Sequence, residues 1–199
     1  IDDNIKCRIA FCFPDVYEIG MSHLGMKILY DLYNRRNDTY CERVFAPWVD
    51  MEELMRKEGI KLFSLETKTP LSDFDFVAFT LQYEMSYTNI LNMLDLGGVK
   101  VKSKDRKEKD PFVFAGGPCA YNSEPIADFF DFIIMGEGEE VNIEVVECYL
   151  KWKSENKSRD EFLEMVADIE GVYVPKFYTP VYNDDGTFKE LVKNNEHAK

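Results

Sequence analysis

The sequence has few of the residues that most metal centres use. It contains two histidines, His23 and His197, among 199 residues. Its five cysteines, at positions 7, 12, 41, 119 and 148, form no Cys-x-x-Cys pair. Because such a pair is typical of zinc and redox sites, we expect free thiols in a reducing compartment and no metal site in this chain.

Two further absences exclude classes of partner. Lys and Arg number 24 against 37 Asp and Glu, a formal net charge of −13, and such a surface repels nucleic acid. No stretch approaches the ~20 consecutive apolar residues that cross a bilayer, and no signal-peptide pattern opens the sequence. We therefore expect a cytoplasmic protein that binds neither nucleic acid nor membrane.

Apolar and aromatic residues, by contrast, are sufficient for one substantial core. The chain is 45% hydrophobic and 14% aromatic. Five apolar runs of strand length alternate with helical stretches, at residues 6–13, 40–46, 74–81, 112–115 and 132–135. This alternation predicts an α/β fold with a doubly wound five-stranded parallel sheet, flavodoxin-like or Rossmann-like, that binds ligands at the carboxyl ends of its strands.

The pattern divides the chain into two parts. Residues 5–156 carry the strand–helix alternation and form the predicted α/β domain. Residues 157–199 contain one short amphipathic helix and three short strand-like stretches. This extension is too small to fold independently, so we expect it to be a linker into, or the start of, a further domain.

The loop after the first predicted strand excludes three common occupants of such folds. Residues 14–22 read PDVYEIGMS. They lack the Ser and Thr run that holds flavin phosphate and the G-x-G-x-x-G of dinucleotide binders. Receiver domains need an acidic pair in this loop and a phospho-accepting Asp at the end of the third strand, where this sequence has Phe79-Thr80-Leu81 instead.

Three short stretches at the ends of predicted strands resemble parts of the cobalamin-binding-domain signature. They are Asp15-x-Tyr17-x-x-Gly20, Thr80-Leu81-Gln82 and Gly116-Gly117. The first resembles D-x-H-x-x-G with tyrosine in place of histidine, the second loosely resembles S-x-L with glutamine in place of leucine, and the third resembles the family's Gly-Gly. The resemblance implies that a cobalamin-binding site is formed by Asp15, Tyr17, Gly20, Thr80, Gln82, Gly116 and Gly117.

These residue types suit a long nucleotide tail that passes between strand ends and helices. Glycine keeps the turns free of side chains, and the Thr80 hydroxyl would hydrogen-bond the buried dimethylbenzimidazole. A phenol must lose a proton of pKa ~10 before it becomes a good cobalt ligand. We therefore expect bound cobalamin to have its own base displaced and no protein imidazole beneath the cobalt; alternatively, Tyr17 is a packing residue that fills the place of the corrin.

A second resemblance covers residues 5 to 180. Residues 14–25, 115–125 and 136–140 are similar to the amino-terminal region of cobalamin-binding-domain radical SAM proteins, including Fe–S oxidoreductases with a degenerate cobalamin motif. In that family a barrel follows, whose C-x-x-x-C-x-x-C motif holds a [4Fe–4S] cluster that cleaves S-adenosylmethionine. This chain has no such triplet, so we expect the cluster and S-adenosylmethionine only in a radical SAM domain outside it.

Three interpretations remain open at this point. The chain is a cofactor-carrying fragment that positions cobalamin or substrate against its own radical SAM barrel. Alternatively, it is an interaction domain of the same enzyme that binds no cofactor. The third interpretation is an independent flavodoxin-like protein that binds another small molecule. In the first two cases the fragment itself is not catalytic.

Overall fold

The computed structural model describes residues 2–199 and contains a central six-stranded sheet with strand order β2-β1-β3-β4-β5-β6. The strands are β1 (Cys7–Phe13), β2 (Thr39–Phe45), β3 (Phe76–Thr80), β4 (Phe112–Gly116), β5 (Phe132–Ile134) and β6 (Val172–Tyr173). The first five are parallel, and β6 runs antiparallel to β5.

Helices cover both faces of this sheet. They are α1 (Tyr17–Gly20), α2 (Leu24–Asn34), α3 (Val49–Glu58), α4 (Tyr87–Leu96), α5 (Gly138–Glu155) and α6 (Arg159–Ala167). One buried cluster lies between the sheet and α2, α5 and α6, and a second lies between the opposite face and α3 and α4. The predicted α/β fold with a mostly parallel, flavodoxin-like sheet is confirmed.

The sheet has six strands rather than the five that the apolar runs predict. Val172 and Tyr173, which we assigned to the extension, pair with Ile134 and Ile133 at the edge of the sheet. A strand of two residues is too short to show a period-2 pattern, so the sequence gives no sign of this pairing. The extension also contains β7 (Tyr178–Tyr182) and β8 (Phe188–Lys193), which form a separate antiparallel hairpin.

Every described cysteine is a free thiol. Burial raises the pKa of Cys7 and Cys12 well above its usual range. These two side chains belong to the clusters on opposite sides of the sheet, as their odd spacing predicts. Within residues 2–199, no helix combines the length and the apolar character that crossing a membrane requires.

A buried ion-pair network joins β4, β5 and α6. The Asp131 carboxylate accepts hydrogen bonds from Arg106 Nη1 at 2.9 Å, Arg159 Nη2 at 2.8 Å and the Val113 backbone N–H at 2.7 Å. The two guanidinium groups donate their other hydrogen bonds to backbone carbonyls. One carboxylate therefore bridges two buried guanidinium groups and fixes the loop before β4 against α6.

Replacing Asp131 tests this network. The variant Asp131→Ala leaves Arg106 and Arg159 buried without a counter-charge, so we expect its free energy of unfolding to fall by about 3–5 kcal/mol. Urea unfolding followed by circular dichroism measures the change. The exposed neighbour Asp128 provides the control, because Asp128→Ala should change stability by less than about 0.5 kcal/mol. Equal unfolding midpoints for the two variants would contradict this account.

Candidate functional site

A cavity of about 200 Å³ lies beneath the carboxyl edge of the sheet, between the sheet and helices α2 and α5. Its walls include apolar side chains from four strands and one helix, namely Phe11, Ala78, Phe114, Ile134, Ile28 and Leu29. Ligands of open α/β sheets bind at this edge, near the point where the strand order reverses. Here the order reverses between β1 and β3.

The cavity exists because side-chain size falls along one face of β3 and β4. On the face that meets α2 and α5, β3 presents Phe76, Ala78 and Thr80 in turn. The corresponding face of β4 presents Phe112, Phe114 and Gly116. Large aromatic rings fill the space at the amino ends, where Phe76 and Phe112 pack against one another. The paired residues Thr80 and Gly116 end these strands with little side-chain volume.

Thr80 places a buried hydroxyl in the wall of the cavity. It is 7% exposed, and the Gln82 side-chain amide donates a hydrogen bond to its Oγ1. A hydroxyl that accepts one hydrogen bond retains its own hydrogen for donation. Among residues 2–199, no group accepts that hydrogen, so Thr80 is available to donate to an acceptor atom inside the cavity.

The two glycines after β4 serve different purposes. Gly117 has φ +113°, and a methyl group there would lie 3.0 Å from the Leu81 carbonyl oxygen, so the backbone itself requires glycine. Gly116 has no such requirement. A methyl group at Gly116 would make ordinary contacts of 3.5 and 3.6 Å with Ile134. Its missing side chain therefore matters for the cavity rather than for the turn.

The rim of the cavity is formed by residues at the starts of α2 and α5. His23, the residue before α2, and Gly25 contribute from one side. Gly136 and Glu137 of the loop before α5, and Glu139 of its first turn, contribute from the other. Both glutamates are exposed to solvent. No Lys or Arg of the described chain lines the cavity, so the site lacks the cations that usually bind a free phosphate group.

A buried contact fixes the spacing of these two helices. The Tyr33 hydroxyl of α2 donates a hydrogen bond to Asn142 Oδ1 of α5, and Asn142 Nδ2 donates to the Gly138 carbonyl at 2.6 Å. Burial raises the pKa of Tyr33 well above its usual range, so the phenol stays protonated and remains a donor. Sequence reasoning missed Tyr33, Asn142 and His23 as cavity residues, because only the packing of α2 against α5 brings them together.

Four of the seven residues singled out from the sequence line the cavity: Thr80, Gln82, Gly116 and Gly117. Their roles in cofactor binding stay predictions, but the structure brings them together. They come from the ends of β3 and β4, which are adjacent strands.

The other three residues, Asp15, Tyr17 and Gly20, lie outside the cavity wall. Gly20 is buried, and a methyl group there would overlap the Phe45 ring. The Tyr17 ring is half exposed and packs edge-on against Phe45 at 5.4 Å between centroids. Asp15 Oδ1 accepts a hydrogen bond from the Val16 backbone N–H at 2.7 Å. This segment therefore packs toward β2, and Gly20 does not converge with the glycines after β4.

The fold and cavity define a flavodoxin-like α/β domain with a small, mostly apolar site at its carboxyl edge. The sequence-family model for the N-terminal region of radical SAM proteins matches residues 25–175. The chain therefore belongs to this family. An uncharacterized protein of Methanocaldococcus jannaschii is 27% identical over 144 residues. That alignment covers 70% of this chain and 26% of the relative, so the chain spans about a quarter of the relative's length. No solved structure matches the chain.

The contrast between the two glycines gives a direct test. Gly117→Ala forces a side chain into a conformation that only glycine adopts easily, so we expect a loss of about 1–3 kcal/mol in the free energy of unfolding. Gly116→Ala should change the free energy of unfolding by no more than about 1 kcal/mol. The change should be stabilising where the main effect is the lower conformational entropy of the unfolded chain. Urea titration of both variants measures the difference. A loss at Gly116 as large as that at Gly117 would show that both glycines are structural.

Proposed function

We propose that this domain carries a cobalamin cofactor for a radical SAM protein, with the cavity receiving the aromatic base at the end of the cofactor's nucleotide tail. The observation that carries the proposal is the pair formed by Thr80 and Gly116. Thr80 supplies a buried hydroxyl donor. Gly116 leaves space in the cavity although its backbone conformation does not require glycine.

The size and the lining of the cavity suit one fused ring. Typical small-molecule pockets enclose ~300–1,000 Å³, so a cavity of about 200 Å³ accepts part of a large cofactor rather than the whole. Apolar walls suit an aromatic ring, and the buried Thr80 hydroxyl can donate to a ring nitrogen with a lone pair. The corrin would then lie outside, over the carboxyl edge.

The charge around the cavity favours an uncharged group inside it. Glu137 and Glu139 stand at the rim without a lining cation in the described residues. A phosphate group inside the cavity would lie close to these carboxylates, at a cost in electrostatic energy. An uncharged base ring meets no such penalty, so a nucleotide tail would enter base first and leave its phosphodiester outside the rim.

Bound cobalamin would supply a cobalt centre for methyl transfer or another radical reaction. The residues of this chain would hold the tail, exclude water from the base and leave the cobalt face open. Tyr17 is half exposed after β1, and its phenol is a poor ligand while protonated. The cobalt would therefore have neither its own base nor a protein imidazole beneath it.

Exposed apolar side chains follow several strands at the same edge and suit contact with a second domain. The largest are Tyr17, Trp48, Tyr83, Met85 and Tyr121, each at least half exposed. Several large exposed apolar side chains at one edge of a domain are typical of an interaction site. We propose that it contacts the protein's own radical SAM domain, which would hold the [4Fe–4S] cluster and S-adenosylmethionine and give the full protein an Fe–S oxidoreductase activity.

The same exposed surface also favours a second function. The chain would then be an interaction domain that docks on the radical SAM domain and binds no cofactor. Both functions predict this contact, so only a ligand-binding measurement separates them.

Gel filtration after incubation with hydroxocobalamin distinguishes the two functions. We expect the wild-type protein to elute with the absorbance of the cofactor. Gly116→Leu fills the cavity and should abolish co-elution, and Thr80→Val removes one hydrogen bond and should weaken binding by roughly three- to tenfold. Thr88→Val, on the exposed side of α4, is the matched control and should bind as the wild type does.

Two outcomes would contradict the proposal. If the wild-type protein is folded by circular dichroism but elutes without the cofactor, the result would favour an interaction domain that binds no cofactor. Equal cofactor retention by the wild type and a folded Gly116→Leu variant would show that the tail binds elsewhere.

A further inference from the structure

We infer that His23 donates a hydrogen bond from Nε2 to the ligand at the mouth of this cavity, and that it does not coordinate the ligand's metal. This inference rests on the proposed function and names a further binding residue for it. The role follows from how the imidazole is held rather than from any sequence motif.

His23 is the N-cap residue of α2. Its Nδ1 accepts a hydrogen bond from the Met26 backbone N–H at 3.1 Å, which satisfies one of the free N–H groups at the start of the helix. The ring also packs against Phe13, with 5.3 Å between centroids. Two independent contacts therefore fix the position of the imidazole beside the cavity.

The capping hydrogen bond determines which nitrogen carries the proton. An acceptor nitrogen must keep its lone pair, so the neutral ring carries its hydrogen on Nε2. No group in residues 2–199 accepts a hydrogen bond from His23 Nε2. Because His23 lines the cavity, this N–H is available to a ligand there.

Metal coordination would need the opposite arrangement. To coordinate through Nε2, the ring must carry its hydrogen on Nδ1, where it would face the Met26 N–H and break the cap. The chain's second histidine, His197, lies beside Asp168, at 3.3 Å between Nδ1 and Oδ1. His23 is therefore the histidine at the site. Its capping hydrogen bond places the ring hydrogen on Nε2, which can donate a hydrogen bond but cannot coordinate a metal.

The position of His23 indicates which part of the ligand it contacts. Thr80 is almost fully buried, whereas His23 is half-buried at the rim. A base that reaches Thr80 leaves its sugar and phosphodiester at the cavity mouth. Oxygen atoms of that ribose–phosphate link are the acceptors within reach of a donor at the rim.

Two substitutions separate binding from capping. Asparagine is among the best N-cap residues, so His23→Asn keeps the cap but removes the imidazole donor and its packing on Phe13. We expect its melting temperature to lie within about 2 °C of the wild type. Its dissociation constant for hydroxocobalamin should rise by about three- to tenfold. His23→Ala also loses the cap and should melt lower still, by about 2–4 °C.

Histidine labelled with ¹⁵N adds readouts that do not depend on affinity. In the free protein, the ¹⁵N shifts should show His23 protonated at Nε2. In the complex reduced to cobalt(II), the electron paramagnetic resonance spectrum should show no splitting from a protein nitrogen.

The outcomes distinguish this inference from the proposed function. If the wild type binds and His23→Asn binds equally well, only the role of His23 is overturned. Protonation at Nδ1, or cobalt splitting that changes with the histidine label, overturns it as well. If the wild type does not bind hydroxocobalamin, the proposed function fails and this inference fails with it.

Discussion

The cavity depends on one packing constraint, the fall in side-chain size along the α2- and α5-facing side of β3 and β4. At the amino ends of these strands, aromatic rings from Phe76, Phe112 and Phe132 pack against Phe162 of α6. At the carboxyl ends, Thr80 and Gly116 leave the helices separated from the sheet. The same decrease in side-chain size thus produces a packed core at one end of the strands and a cavity at the other.

The helices keep this space open because they are fixed to one another as well as to the sheet. Tyr33 and Asn142 join α2 to α5 below the cavity, and His23 caps α2 beside its mouth. Buried, satisfied hydrogen bonds of this kind specify one arrangement of the helices. The cavity is therefore preformed, with the Thr80 hydroxyl in its interior and two exposed glutamates at its rim.

The sequence was sufficient to predict the α/β class and the edge at which the cavity lies, because each main strand is a separate apolar run followed by a helix. It indicated a strand at residues 171–175 but not that β6 pairs with β5 at the edge of the main sheet. The residues after β3 and β4 converge as predicted, since adjacent parallel strands end together. Gly20 does not join them, because its position depends on the packing of α1 against Phe45 of β2, which no local pattern encodes.

The sequence alone also does not distinguish a glycine that the backbone requires from one that leaves space for the cavity. Gly116 and Gly117 look equivalent in the sequence, yet only Gly117 has a positive φ and a close backbone neighbour. Gly116 becomes evidence for a ligand only when the space around it is known. Likewise, His23 looks like an isolated histidine until its capping contact and its place beside the cavity are seen together.

The most direct test of the cavity uses α-ribazole, the dimethylbenzimidazole riboside of the cobalamin tail, as a probe without corrin or cobalt. Titration into methyl-labelled protein should shift the signals of Ala78, Ile134 and Leu29, which line the cavity. Signals of Val77 and Val113, on the opposite face of the same strands, should stay fixed. Shifts confined to the opposite face, or no shifts at millimolar probe, would contradict the assignment of this cavity to the base.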